Sequence, residues 1–289
     1  MTLVDKGFRA YGGARTPSPL RFLVVSRYAL ADAVRTRKVI GLLVAAMVVP
    51  LLAAVLIYLR HNVEALSILP TEMTPFVQKL AIDGNLFYRL LQIQSVPCFF
   101  LFLVSGATLV SQDLRDNALP LYLSRPLTRT EYVAGKATVL AVLGSAVTWV
   151  PLAVLILLQA SLAGTSWLLE QWRLPFAVFA GSWVILAVLT FVCLAMSALL
   201  RAKAAAEGAF LSIFLLTPLL ALSINETLDT ELGTFVHLRT LVNAVERGIF
   251  GLEALPEMGP VAAAVALGVL LVVCAGILGR KIRAYEVVK

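Results

Sequence analysis

Charge is scarce in this chain. Of 289 residues, 14% are Asp, Glu, Lys or Arg while 60% are hydrophobic, and the mean hydropathy is +0.90. Soluble domains carry about a quarter charged residues, so a water-soluble enzyme and a disordered chain are both excluded. Histidine is nearly missing too. His61 and His237 are the only two, lie far apart in sequence, and read as ordinary surface residues instead of a metal or catalytic pair. The three cysteines, Cys98, Cys193 and Cys274, have no CxxC spacing and sit in apolar stretches. They read as small packing residues, which excludes a secreted disulfide scaffold. No GxxxxGK[ST] phosphate loop is present: Gly135-Lys136 is followed by Ala137 and lacks a glycine five positions before Gly135. HExxH and GxSxG are missing as well, so no ATPase or hydrolase signature is carried by these residues. The first 38 residues hold eight basic residues and no uninterrupted apolar core of a signal peptide, so the start of the chain is expected to be retained.

What remains is long runs without charge. Six stand out, at 39–59, 90–112, 137–169, 174–200, 208–225 and 258–279, and the next longest has only 8 residues. A helix needs about 20 apolar residues to cross a bilayer. The chain is therefore expected to be an all-α integral membrane protein with six spans, at 39–59, 90–110, 137–160, 176–200, 208–224 and 260–279. Residues 1–38 form a tail and surface helix before this 39–279 domain, and 280–289 form a second tail. The 33-residue run at 137–169 is too long for one crossing, so Gly164 to Trp172 is read as an outer turn with Trp167 and Trp172 at the interface.

Basic residues alternate from one side to the other. The N-terminal tail, the loops after spans two and four and the C-terminal tail hold 18 of the 24 Lys and Arg, but 7 of the 17 acids. That bias puts both termini and these loops in the cytoplasm. The net charge of +7 is then a topology signal and an attraction to anionic lipid, and nucleic acid is not expected as a partner. On the inner side, residues 20–38 carry an apolar stripe (Leu20, Leu23, Val24, Leu30, Ala31, Val34) among arginines and read as a helix lying on the membrane surface. On the outer side, Phe235, Leu238, Leu241, Val242, Val245 and Ile249 share one helical arc within 225–259. His237, Arg239, Asn243, Glu246 and Arg247 occupy the rest of the circumference, a polar flank.

The spans contain no ionisable Asp, Glu, Lys or Arg, which weighs against a proton-coupled carrier. They do contain Gln92, Gln94, Ser105, Thr108, Thr148, Thr190 and Thr217, which either line a pathway or make interhelical and back-bonded hydrogen bonds. For each residue taken singly, the second use is favoured.

The segment from Ser111 to Lys136 is the most informative. Charged Asp113, Arg115 and Asp116 lead into an apolar patch of Leu119, Leu121, Tyr122 and Leu123. Pro126 then enforces an extended link. Thr128 with Glu131 three residues on is a capping box that opens a new helix. An apolar knob flanked by charge on the cytoplasmic side suits docking into a cleft of another protein; a helix lying on the lipid surface is the alternative.

At these residues the chain resembles the type 2 ABC transporter permeases. In that family the loop between spans two and three has an acidic residue, a leucine-rich short helix, Arg-Pro-Leu-[ST]-Arg and a Gly-Lys. Here these are Asp113, Leu119 to Leu123, Arg125-Pro126-Leu127-Thr128-Arg129 and Gly135-Lys136. Asp116-Asn117-Ala118 departs from the pattern, where members often have Gly-Thr. The resemblance implies a coupling helix in this loop that receives force from a separate ATPase. It implies an elbow helix before span one and an amphipathic outer segment before span six. Two copies of a cytoplasmic ATP-binding subunit would supply the ATP and Mg chemistry, this chain having no cofactor of its own. A second permease subunit, a homodimer by symmetry, would complete a path for export across a bacterial inner membrane. Alternatives are a permease that passes ATP-driven motion to an extracytoplasmic partner and, less favoured, a secondary carrier.

Overall fold

The computed structural model describes residues 21–62, 74–116, 128–200 and 202–281. The described residues form helices joined by short turns, with no strand among them and a single isolated bridge between Leu255 and Met258. Six helices are long and apolar enough to cross a membrane, which makes this a multi-pass membrane protein by length and composition. They are spans one to six: Arg37–His61, Gly84–Arg115, Arg129–Ala163, Arg173–Leu199, Lys203–Leu228 and Pro260–Lys281.

The helices outrun the charge-free stretches because their caps lie in the flanking polar sequence. Asp83 accepts from the Leu86 amide at 3.1 Å and starts span two at Gly84, six residues before its apolar run. Thr128 and Glu131 form the expected capping box, which starts span three at Arg129 instead of at residue 137. Three spans are also interrupted: span one at Met47, span two at Gly106–Ala107 and span three at Thr148.

Span four is the axis of the bundle. It packs against spans two, three, five and six, and its Ile185, Leu186, Leu189, Val192, Cys193 and Leu194 are all buried. Spans one, five and six contribute one face each to this core and expose the other, as with Leu215, Leu219 and Leu222 on span five and Val261, Val265 and Val272 on span six. In water such rows of leucine and valine would aggregate; in a bilayer the lipid tails cover them.

The first described helix, Arg21–Arg35, ends at a break around Thr36 and packs on the protein through only Leu30 of the expected stripe. It lies on the first turns of span three through Ser26, Ala29, Leu30 and Ala33, while Leu23, Val24 and Val34 stay exposed. Apart from Leu30, the described residues of the stripe (Leu23, Val24, Ala31 and Val34) form the face turned away from the protein, the face that a helix on the membrane surface offers to lipid.

On the other side, a 3-10 turn at Leu232–Phe235 leads into the outer helix, Leu238–Ile249. This helix packs on spans four and six through Leu238, Leu241 and Ala244, close to the expected arc. Two residues depart from it. Phe235 falls in the preceding turn and is 44% exposed, whereas Glu246, expected on the polar flank, is fully buried. Spans two and four cover the flank that an isolated amphipathic helix would leave in water.

Candidate coupling site

The ends of the Ser111–Lys136 segment meet in one buried polar knot. Asp113 lies near the end of span two, and Tyr132 and Lys136 one turn apart at the start of span three, so helical spacing stacks the last two on one face. Lys136 Nζ is 2.7 Å from Asp113 Oδ2, with side-chain exposures of 7% and 15%. Tyr132, itself fully buried, donates its hydroxyl to the same carboxylate oxygen at 2.6 Å. The Lys136 ammonium also stands 5.6 Å from the Tyr132 ring centroid. An ammonium and a carboxylate this sheltered hold each other in place, since separating them would leave either one buried and unpaired.

The knot extends to the N-terminal helix. Ser26 Oγ lies 2.9 Å from the Gly135 carbonyl and 3.0 Å from that of Phe22, and donates to them. Gly135 permits this approach, because a Cβ there would stand 3.0 Å from the Phe22 oxygen and 3.2 Å from Val25 Cβ. The N-terminal helix, the end of span two and the start of span three are thus fastened at one level.

A second contact fixes the same end of span two. At the Gly106–Ala107 break, Ser197 of span four donates to the Ala107 carbonyl at 2.7 Å and accepts from the amides of Val110 and Ser111. One hydroxyl so serves three backbone groups at the interruption: it is the partner of the two amides and shares the Ala107 carbonyl with the Ser111 hydroxyl, which donates to it at 2.8 Å. Gly106 lets spans two and four close on each other: a Cβ there would lie 2.7 Å from Cys193 Sγ.

Of the residues expected to dock a partner, Asp113, Gly135 and Lys136 belong to the knot. Arg115, Asp116 and Arg129 are exposed beside it, Arg115 paired with its neighbour Asp116 at 3.0 Å. Leu119, Leu121, Tyr122, Leu123, Arg125 and Pro126 lie outside the described residues. Ser26 and Ser197 complete the site and carry no sequence signal beyond being hydroxyls among apolar neighbours.

The polar residues of the spans are mostly used in packing. Gln94 is fully buried and donates to the carbonyls of Ala46 and Val147. Ser105, Thr108 and Thr148 bond back to Leu101, Ser105 and Gly144 of their own helices. Gln92 donates to Glu246 of the outer helix. Thr190 is buried on span four and Thr217 partly buried on span five. Among the described residues no cluster of His, Cys, Asp and Glu could hold a metal ion.

No family model matches the sequence, and a search of curated proteins found no match to it.

Proposed function

We propose that this chain is the membrane-embedded permease subunit of an ATP-driven exporter, with two copies enclosing one path and two copies of a separate ATP-binding subunit docking from the cytoplasm. The observation that carries this reading is the buried Asp113–Lys136 pair with Tyr132. A loop that receives a push must have a stiff base, or the stroke is lost in local bending. Here the two ends of the loop are pinned to each other, to the N-terminal helix through Ser26 and to the central span through Ser197. Displacing the loop then moves spans two, three and four together, a rigid-body response of packed helices.

Span four also reaches the opposite end of the molecule, where Gly181 approaches Phe250 beside the outer helix. That connection favours a second use of the same stroke, passing motion to an extracytoplasmic partner.

The test is co-purification of the chain with an ATPase encoded beside it, followed by Mg-ATP hydrolysis and substrate efflux from reconstituted vesicles. The complex is expected to hydrolyse ATP and the chain alone to show none. Efflux separates the exporter from the motion relay. Absence of any associating ATPase, or turnover by the chain alone, overturns both readings.

A further inference from the structure

Glu246 is the one acidic residue on the outer helix, and it has 0% of its surface exposed. Its Oε2 accepts from Gln92 Nε2 of span two, while its Oε1 has no hydrogen-bond partner among the described residues. No Lys or Arg among the described residues forms an ion pair with it. One turn back, Asn243 accepts from the Tyr88 hydroxyl of span two, so two polar pairs join the outer helix to span two. Span four closes the remaining side: a Cβ at Gly181 would stand 3.8 Å from Glu246 Cγ and 3.1 Å from the Phe250 ring.

We propose that Glu246 is a proton-binding site that latches the outer helix: protonated, it holds the helix packed on spans two and four, and losing the proton to the outer aqueous side releases it. The step conserves charge and atoms, a carboxylic acid becoming a carboxylate plus one proton in bulk water. A buried carboxylate lacking a counter-ion is far costlier than the neutral acid. Burial therefore raises this carboxyl from the ordinary 4.5 to about 8, against the smaller lowering effects of the Gln92 hydrogen bond and the Arg239 charge.

The neighbours do not replace the proton. Arg239 is exposed, and Arg247 spends its Nε on the Glu253 carbonyl at 2.7 Å with its guanidinium 6.0 Å from the Tyr88 ring. His237 is held below its usual range by burial and then by Arg239, and pairs with Thr240. Span two offers Tyr88 and Gln92, with Arg89 exposed and turned to Asn85. Span four has one ionisable side chain near this end, Arg173, which is engaged with the Trp172 ring at 5.2 Å. Span six has no charge before Arg280.

The sign follows from linkage. The packed state keeps its proton up to about pH 8, whereas the released state loses it near 4.5. The packed state is therefore fully favoured below the released-state value, and its advantage falls as pH rises. The released fraction should increase about tenfold per pH unit from roughly 5 to 8 and level off above that.

The experiment uses the full chain in lipid nanodiscs without an ATPase, so its failure is distinct from failure of the proposed transport function. Ala244→Cys reports release of the helix, because Ala244 is only 2% exposed. Its labelling rate is divided by that of the Ala244→Cys/Glu246→Gln double variant, which cancels the titration of the thiol itself. The ratio should climb about tenfold per pH unit over that window and then flatten. Infrared spectra of the otherwise unmodified chain with isotope-labelled glutamate should show a protonated carboxyl at pH 7 that is lost above about pH 8. A labelling ratio that does not change with pH overturns the latch. So does a labelled spectrum with no glutamic acid band at neutral pH, which needs no variant to fold.

Discussion

The side-chain amide of Gln94 donates to the backbone carbonyl of Val147 across spans two and three at 3.0 Å. The same nitrogen reaches the Ala46 carbonyl of span one, also at 3.0 Å. Both carbonyls lie four residues before a proline, Pro50 and Pro151. Proline has no N–H to give to the carbonyl four residues back, and its ring breaks the helix there. The two interruptions therefore create two orphaned acceptors at one depth, and the two amide hydrogens of Gln94 satisfy one each. In lipid no water is present to do so.

Replacing Gln94 with Leu should lower stability by about 1–3 kcal/mol, as two buried acceptors lose their donor. Restoring the missing amides by Pro50→Ala and Pro151→Ala should shrink that penalty to below about 1 kcal/mol. Thermal unfolding of the four combinations in detergent checks this. Equal penalties in both backgrounds would show that the amide serves something other than the proline carbonyls.

The knot at the loop base gives a second expectation. Lys136→Met leaves the Asp113 carboxylate sheltered without its cation and should cost about 3 kcal/mol. Adding Asp113→Asn should recover most of that, since an amide oxygen still accepts from the Tyr132 hydroxyl and no charge is left to pair. If the double variant is as unstable as the single, the pair is not what holds spans two and three together.

Packing at the break of span two is the third. At Gly106 a methyl would lie 2.8 Å from the Phe102 carbonyl oxygen and 3.0 Å from Leu140 Cδ2, in addition to Cys193. A backbone oxygen cannot step aside, so Gly106→Ala should destabilise by about 1–3 kcal/mol. Ser197→Ala should cost a similar amount, about 1–3 kcal/mol, by leaving the amides of Val110 and Ser111 unpaired. Unchanged melting temperatures in both variants would contradict the close approach of spans two and four.

Much of this architecture is legible in the sequence because lipid imposes a simple demand. Six stretches without charge give six helices, and the Thr128–Glu131 cap announces the start of span three. What escapes is whatever depends on a partner distant in sequence. Gln94 reads as a polar residue within a span until the carbonyls of Ala46 and Val147 are placed beside it. Glu246 reads as the wet side of an amphipathic helix because helical periodicity sees one helix at a time; spans two and four, which bury it, are more than forty residues away in sequence. Lys136 reads from sequence as one more basic residue of the loop, and only the fold pairs it with Asp113.

Orientation is checked by labelling. Lys203→Cys and Glu257→Cys both lie at exposed positions, whereas the three native cysteines are buried. An impermeant thiol reagent added to intact cells should reach position 257 and should reach position 203 only after permeabilisation. Glu246, which the charge bias also assigns to the outer side, would be a poor reporter because it is buried. A reversed pattern at either position would break the assignment of the basic loops to the cytoplasm.

The last expectation concerns the apolar knob of the inner loop. Leu121 lies between the pinned ends of the Ser111–Lys136 segment, and this is the only inner connection in the six-span reading long enough to carry a docking helix. The connection between spans four and five, around Arg201, is too short for more than a turn. Leu121→Asp places a charge in an apolar docking cleft, at a cost on the order of a few kcal/mol if unpaired. The chain should still insert and fold, because Asp113, Lys136 and Tyr132 close the base of the loop independently of residue 121. It should, however, lose its ATPase partner in pull-down or fail to stimulate that partner's ATP turnover. Pro126→Ala should be milder, loosening the link to span three while leaving the contact in place. Should Leu121→Asp leave complex formation and transport at wild-type levels, the loop is a lipid-facing surface helix, and its pinned base serves to anchor that helix instead of transmitting force.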